Sequence, residues 1–329
     1  MKKMLVVFLA AVALVGLTLG QLEAAEKYTL RISTSQTDQS LITRSYMKLA
    51  DELNKRSEGR LDVKVFPSGQ LGNDEDVIEQ AIQGAGVAVN TDPARMGTYV
   101  KDMGILMMGY FADSYDECYK ITQTETFKKW EEELATKHGI RVLSFNFYDG
   151  PRHFMTNNEV KKPADLANQR IRTIGSEVCI ETLNALGATP VAMSWGEVYN
   201  GIQSKALDGC EAQNTSTYPS KIYEVAKFQS KTGHFQLMQA IVCGEVWFKK
   251  LPEDLQKLIL DTAREVGVES AKLVMAEADK DEQEMIKAGL TVVQPDIAAF
   301  KEAVKPAYEK LGFTQLREQL YKEIGKTTK

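Results

Sequence analysis

Histidine and cysteine are scarce in this 329-residue chain: three of the first (His138, His153, His234) and four of the second (Cys118, Cys179, Cys210, Cys243). The cysteines stand too far apart for a metal-binding pattern, and no His-Glu-x-x-His signature is present, which excludes the familiar zinc sites. There is no Gly-x-Ser-x-Gly motif, no phosphate-cradling P-loop and no pair of carboxylates in a catalytic context. Neither a metal nor an organic cofactor is expected, and the chain reads as a non-enzyme. An excess of basic residues is missing too. The 40 Lys and Arg against 45 Asp and Glu leave a formal net charge of −5. That gives no footprint for nucleic acid and no basic face for anionic lipid. Internal repeats, low-complexity tracts and Gly/Ser linkers are absent, which argues against a structural or adhesive role.

What is present begins at the N-terminus. Lys2 and Lys3 precede an apolar run from Met4 to Leu19, with small and polar residues following before Tyr28. This is the order of a secretory signal peptide, and the run is shorter than the ~20 residues of a membrane-spanning helix. Residues 1–25 are expected to be removed, with the cut after Gly20, Ala24 or Ala25. No cysteine lies near the cut, so no lipid anchor is expected. No later stretch is long and apolar enough to span a bilayer. The mature chain is therefore expected in the periplasm, without direct membrane anchoring. An exported location permits disulfides, and the wide cysteine spacing fits small buried thiols equally well.

Short strands alternate with helices along the mature chain. Tyr28 to Ile32 and Leu61 to Phe66 alternate with period two, and Val87 to Val89 follows as a short strand. Between them, Leu41, Ile42, Tyr46, Leu49 and Leu53 recur at helical spacing, and Asn73 opens a helix whose acidic first turn suits the dipole. Arg141 to Phe147, Gln169 to Thr173 and Ala188 to Val191 read as strands. Glu177 to Leu186 and Trp195 to Ser204 read as helices. A long helix starts near Pro252 and reaches about Ala288, followed by a short strand and a final helix pair. This predicts an α/β architecture with mixed or parallel sheets.

Three segments together carry a resemblance. Phe66-Pro67-Ser68-Gly69-Gln70-Leu71-Gly72 precedes a helix, and Pro163-Ala164-Asp165-Leu166 precedes Arg170-Ile171-Arg172. Gly187-Ala188-Thr189-Pro190-Val191-Ala192-Met193-Ser194-Trp195 leads on to Leu207-Asp208-Gly209-Cys210-Glu211. In this order, behind a signal peptide, they resemble the substrate-binding subunit of tripartite ATP-independent periplasmic (TRAP) transporters, the sialic-acid and C4-dicarboxylate binding family. The likeness covers essentially the whole mature chain. It implies two α/β lobes around a cleft, joined by crossing strands and a long hinge-spanning helix. Lobe I would hold residues 26–149 plus about 238–277, and lobe II residues 150–237 plus about 278–329. The partners implied are a small organic acid and the small and large membrane subunits of the transporter.

The resemblance also implies a site. Arg172 matches the arginine that grips the substrate carboxylate, a role suited to a guanidinium's fixed fork of donors. Arg152 matches a second basic contact, Trp195 an aromatic position over the ligand, and His234 a histidine near the arginine's water network. Family members often read Asp-Gly-x-Glu-Asn, with the Asn reaching the substrate; here Ala212 stands at that place, and Gln213 or Asn214 would substitute. Strand ends of the first lobe add Ser35 and Gln36, and Asn90 and Thr91. Phe147 and Tyr148, beside Arg152, suggest an aromatic pocket and hence a monocarboxylate with an aromatic or keto-acid character. The bland alternative is that these aromatics pack the lobe interface.

One competing reading comes from another class. Ser45-Tyr46-Met47-Lys48, Ser144-Phe145-Asn146 and Lys231-Thr232-Gly233 match, in order, the triplets of penicillin-recognising serine enzymes. Ser45 and Lys48, Ser144 and Asn146, and Lys231 would then have to meet in one cleft. Ser45 falls inside a helix rather than at its start, which counts against it.

Overall fold

The computed structural model describes residues 26–326, so the signal-peptide reading falls outside the described residues. The early elements form where the periodicity places them. Strand β1 spans Tyr28–Ser33, β2 Leu61–Phe66 and β3 Val87–Thr91. The helix Leu41–Arg56 is capped by Ser40, whose side chain accepts from the Thr43 amide, and it buries the apolar residues that mark its period. Asn73 caps the helix Asp74–Ile82 in the same way, by accepting from the Asp76 amide.

Two 17-residue strands, β4 (Ile140–Thr156) and β8 (Phe228–Gly244), pair antiparallel and run through the middle of the molecule. The remaining strands are β5 (Arg170–Thr173), β6 (Thr189–Ala192), β7 (Gly209–Ala212) and β9 (Thr291–Val293). The sheet runs β2-β1-β3-β8-β4-β7-β5-β6, with β9 also on β8. The parallel strands β1 to β3 join the C-terminal half of β8, where Ala88 faces Cys243. The parallel group β5 to β7 joins the C-terminal half of β4, where His153 faces Ala212. One continuous antiparallel pair thus carries an α/β unit at each end. Periodicity did not reveal β7, β8 or the far half of β4. These strands are buried on both faces, so no polar alternation marks them.

The helix Glu253–Lys287 is 35 residues long, which is ~50 Å at 1.5 Å per residue. Its Leu255, Ile259, Ala263 and Val266 enter one core, its Ala271 and Val274 a second, and its Met285 a third. The C-terminal helices Ile297–Leu311 and Thr314–Glu323 fasten elsewhere. Tyr308 donates to the Gly109 carbonyl at 3.0 Å, and Thr126 donates to Glu323 at 2.7 Å. The end of the chain therefore packs on residues that the sequence assigned to the other lobe. All four cysteines are buried and unpaired.

Gly267 explains how the long helix lies so close to β4. A Cβ there would sit 1.9 Å from Asn146 Oδ1, and Asn146 is held by Ser144 and by the Arg264 carbonyl. Alanine is the better helix former by ~1 kcal/mol, yet the clash is expected to outweigh that gain. Gly267→Ala should lose ~1–3 kcal/mol in chemical denaturation; a gain in stability would mean the approach is not tight.

Candidate functional site

The motif segments turn out to be supports. In the Phe66 to Gly72 turn, the amides of Ser68 and Gly69 donate to the carbonyls of Gln36 and Thr34, at 2.8 and 3.0 Å. They hold the loop that carries Ser35 and Gln36. Asp165 accepts from the amides of Lys161 and Lys162 just before β5. Asp208 accepts from the Arg170 amide and guanidinium at 2.8 and 2.9 Å. Arg170 is thereby pinned at the surface. By strand alternation it shares its face with Arg172, but Arg172 is buried, 2% exposed.

Arg172 is the unusual charge of the molecule. Its Nε donates to the Met193 carbonyl at 2.8 Å, and Trp195 lies against the guanidinium with its ring 5.4 Å away. Among the described residues no carboxylate pairs with it, and its two terminal nitrogens have no hydrogen-bond partner. Burial, followed by the nearby Arg152, lowers its pKa to about 10. Trp195 is itself fixed, its Nε1 donating to Ser220 at 3.1 Å.

The other buried arginine is neutralised. Arg152 donates through Nε and Nη2 to the Glu211 carboxylate and through Nη2 to the Glu211 carbonyl. Thr173 also donates to Glu211, at 2.8 Å. His234 lies 3.8 Å from the same carboxylate, stacked on Phe154 with ring centroids 4.5 Å apart. Its Nδ1 meets the Thr232 hydroxyl, and its Nε2 has no partner. Burial holds His234 well below the usual imidazole range and pushes His153 down to about 3, so both are neutral at pH 7.

Of the first-lobe candidates, Ser35 and Gln36 follow the end of β1, and Asn90 and Thr91 close β3. Asn90, Thr91 and Gln36 are all buried, and each leaves a side-chain oxygen without a partner; Ser33 does the same. Ser35 donates to Asp74 at 3.2 Å. Ser35, Asp74, Arg95, Ser194 and Trp195 line a cavity of about 210 Å³ that joins loops from both ends of the sheet. Sequence reasoning missed Arg95, which pairs with Asp74, Glu75 and Asp92. Its position directly after the Asp92-Pro93 helix start was the available signal.

Asp149 was also missed. It is fully buried and accepts from Thr215 at 2.8 Å and from Gln213, Ser216 and Gln239. Burial pushes its carboxyl from 3.8 up to about 6, against the pull of these donors and of Arg152. A raised carboxyl pKa means that the folded state keeps its proton where the unfolded chain has released it. Stability from this group therefore falls as pH rises from about 4 to 6 and is lowest above that range. Asp149→Asn should raise stability at pH 7.5 by up to ~3 kcal/mol. The gain should shrink as pH drops from 6 to 4, which melting curves across that range would check.

Several expectations need correction. Phe147 packs against Tyr46, centroids 5.2 Å apart, in the core beneath the helix Leu41–Arg56. Tyr148 packs against Tyr115 on the opposite side and donates to Gln236. Both are core residues, because consecutive positions of a strand buried on two faces point into two cores. Asn214 is tied up by Gln229, Glu282 and the Ala278 carbonyl; Gln213 keeps a free buried oxygen. The serine-enzyme triplets do not converge. Ser45 donates to the Leu41 carbonyl within its own helix, Lys48 pairs with Glu269, Ser144 and Asn146 bond each other, and Lys231 pairs with Glu282.

Comparison with known proteins agrees with this architecture. The profile of the bacterial extracellular solute-binding proteins of family 7, DctP, matches residues 32–315. The 2,3-diketo-L-gulonate-binding periplasmic protein YiaO of Escherichia coli is 28% identical over 305 residues, 92% of this chain and 89% of that protein. A TRAP periplasmic solute-binding protein from Ochrobacterium anthropi with bound L-fuconate superposes with a TM-score of 0.88 at 29% identity, covering 91% of this chain and 99% of that one. A second, from Actinobacillus succinogenes with bound L-galactonate, gives 0.86 at 28% identity, covering 90% and 99%.

Proposed function

Because the chain belongs to family 7 of the bacterial extracellular solute-binding proteins, and to its TRAP substrate-binding subunits, we propose that it captures a small hydroxylated carboxylate in the periplasm and passes it to the two membrane subunits of the transporter. The observation that carries this reading is Arg172. A desolvated guanidinium without a counter-charge costs stability unless an anion completes it, and its free fork matches two carboxylate oxygens. Trp195 would shield that ion pair from water. Gln36, Asn90, Thr91 and Gln213 would supply polar contacts, with His234 behind Arg152 and Glu211. β4, β8 and the long helix would hinge the lobes shut over the solute.

The solutes in the two solved relatives, L-fuconate and L-galactonate, are hydroxylated acids, which supports the same class here. The aromatic tail suggested by Phe147 and Tyr148 loses its basis, since both are core residues; a hydroxylated keto acid stays within the proposed class, since the relative YiaO is named for binding 2,3-diketo-L-gulonate. The serine-enzyme alternative has no assembled site behind it.

A thermal-shift panel of sugar acids, dicarboxylates, keto acids, aromatic acids, amines and neutral sugars tests the proposal. A ligand that binds only the folded state raises the melting temperature by mass action. Shifts among carboxylates, with the largest for hydroxylated ones, are expected. Shifts confined to neutral or cationic compounds would overturn the carboxylate assignment.

A further inference from the structure

We propose that Asp149 is a positioning residue that sets the polarity of the cleft. It turns the amide of Gln213 and, through Gln239, the amide of Asn90, so that both present an oxygen to the solute. The inference rests on the solute-binding reading above and specifies which partner chemistry that site accepts.

An ionised Asp accepts hydrogen bonds and donates none. Gln213 faces Asp149, so its Nε2 must point there, and the same nitrogen also reaches Ser216 at 2.7 Å. Its Oε1 is then directed away, and it is buried without a partner. Gln239 is constrained in the same way, its Nε2 lying 3.3 Å from Asp149. Its Oε1 therefore accepts, from the Tyr46 hydroxyl at 3.0 Å and from Asn90 Nδ2 at 3.1 Å. With its nitrogen committed, Asn90 leaves Oδ1 buried and unpartnered. One acceptor-only group thus fixes three amides whose orientation would otherwise be free.

The backbone is built for this placement. Gly150 follows Asp149 with φ of +108°, a conformation that L side chains rarely adopt, and the β4–β8 register shifts between Tyr148 and Gly150. Such a bulge re-aims a side chain out of strict alternation. Here it sets Asp149 between the start of the Gln213 loop and Gln239. Gln213 follows β7 and Asn90 lies in β3, so the two orphan oxygens come from opposite ends of the sheet, one from each lobe.

Two enclosed acceptors call for donors on the ligand. Hydroxyl groups supply them; a simple dicarboxylate or an acid with an apolar tail does not. A site built to bond a hydroxyl rejects the analogue that lacks it far more strongly than a hydrophobic pocket rejects a missing methylene.

The test is calorimetry on the full mature chain with two matched pairs of probes. D-glucuronate is paired with tetrahydropyran-2-carboxylate, and L-galactonate with hexanoate; each pair shares its carbon frame and carboxylate and differs in its hydroxyl groups. In the wild type, at least one hydroxylated acid should bind tenfold or more tighter than its counterpart. In Asp149→Asn, the new side-chain NH₂ draws an amide oxygen towards itself and turns a donor to the cleft. The preference should then fall about tenfold, while binding of the deoxygenated acid changes little. Asp149→Asn with Gln213→Glu keeps the charge count and restores an acceptor at 213, so the preference should return, which a merely structural role would not produce. Equal binding of the paired acids by the wild type, or an unchanged preference in Asp149→Asn, would overturn the inference and leave the carboxylate reading standing. Binding of none of the four would sink both.

Discussion

Arg172→Met is expected to abolish useful solute capture and, at the same time, to make the empty protein more stable. The two effects share one cause. Arg172 is buried with no counter-charge, and its pKa falls from 12.5 to about 10 because burial and Arg152 disfavour the charged form. At neutral pH that depressed pKa is a standing cost of ~3 kcal/mol. Methionine keeps much of the stem volume and of the packing against Trp195 while removing the charge, so a gain of ~1–3 kcal/mol in the absence of ligand is expected. Bound solute reverses the balance. Without the guanidinium, closure buries a carboxylate unpaired, at ~2–5 kcal/mol, or about 30- to 5000-fold in affinity. Arg172→Lys should fall between, because an ammonium keeps the charge without the bidentate fork. Melting curves and calorimetry on the same preparations distinguish the outcomes. Undiminished affinity removes the central claim, and lost affinity with lost stability would point to a damaged fold instead.

How much of this was legible in the sequence depends on the distance over which each contact acts. The helix Leu41–Arg56 and its Ser40 cap are local, and the periodicity of Leu41, Ile42, Tyr46, Leu49 and Leu53 shows them directly. Arg172 was legible only through resemblance, since strand alternation gives no sign that it is buried while Arg170 is exposed. The cause is Asp208, 38 positions away, which captures Arg170. Asp149 was not legible at all. Its partners Gln213 and Gln239 lie 64 and 90 positions downstream, and nothing in Tyr148-Asp149-Gly150 distinguishes a buried hub from an ordinary turn. The aromatic lean failed for a related reason. Phe147 and Tyr148 were read as ending a strand, whereas β4 continues to Thr156 and sinks both rings into cores.

Glu211 carries the second large effect, this time on folding. Its carboxylate takes two donors of Arg152 and the Thr173 hydroxyl, and His234 is 3.8 Å away. Arg152 and Glu211 are both almost completely buried. Removing one member of such a pair strands the other, at ~3–5 kcal/mol. Glu211→Leu should therefore destabilise by about that amount, and Arg152 would then stand unpaired near the equally unpaired Arg172. Arg152→Met combined with Glu211→Leu replaces both charges with apolar groups and should recover most of the loss, a non-additivity that a double-mutant cycle by chemical denaturation measures directly. Additive losses would mean that the pair is not coupled. The same double variant also separates the two roles proposed for Arg152. The pair with Glu211 occupies Nε and Nη2 and leaves Nη1 for the solute. A refolded double variant that binds about tenfold more weakly would fit one lost charge-assisted hydrogen bond; one that binds as the wild type does would make Arg152 a purely structural counterpart of Glu211, with Arg172 the sole anion grip.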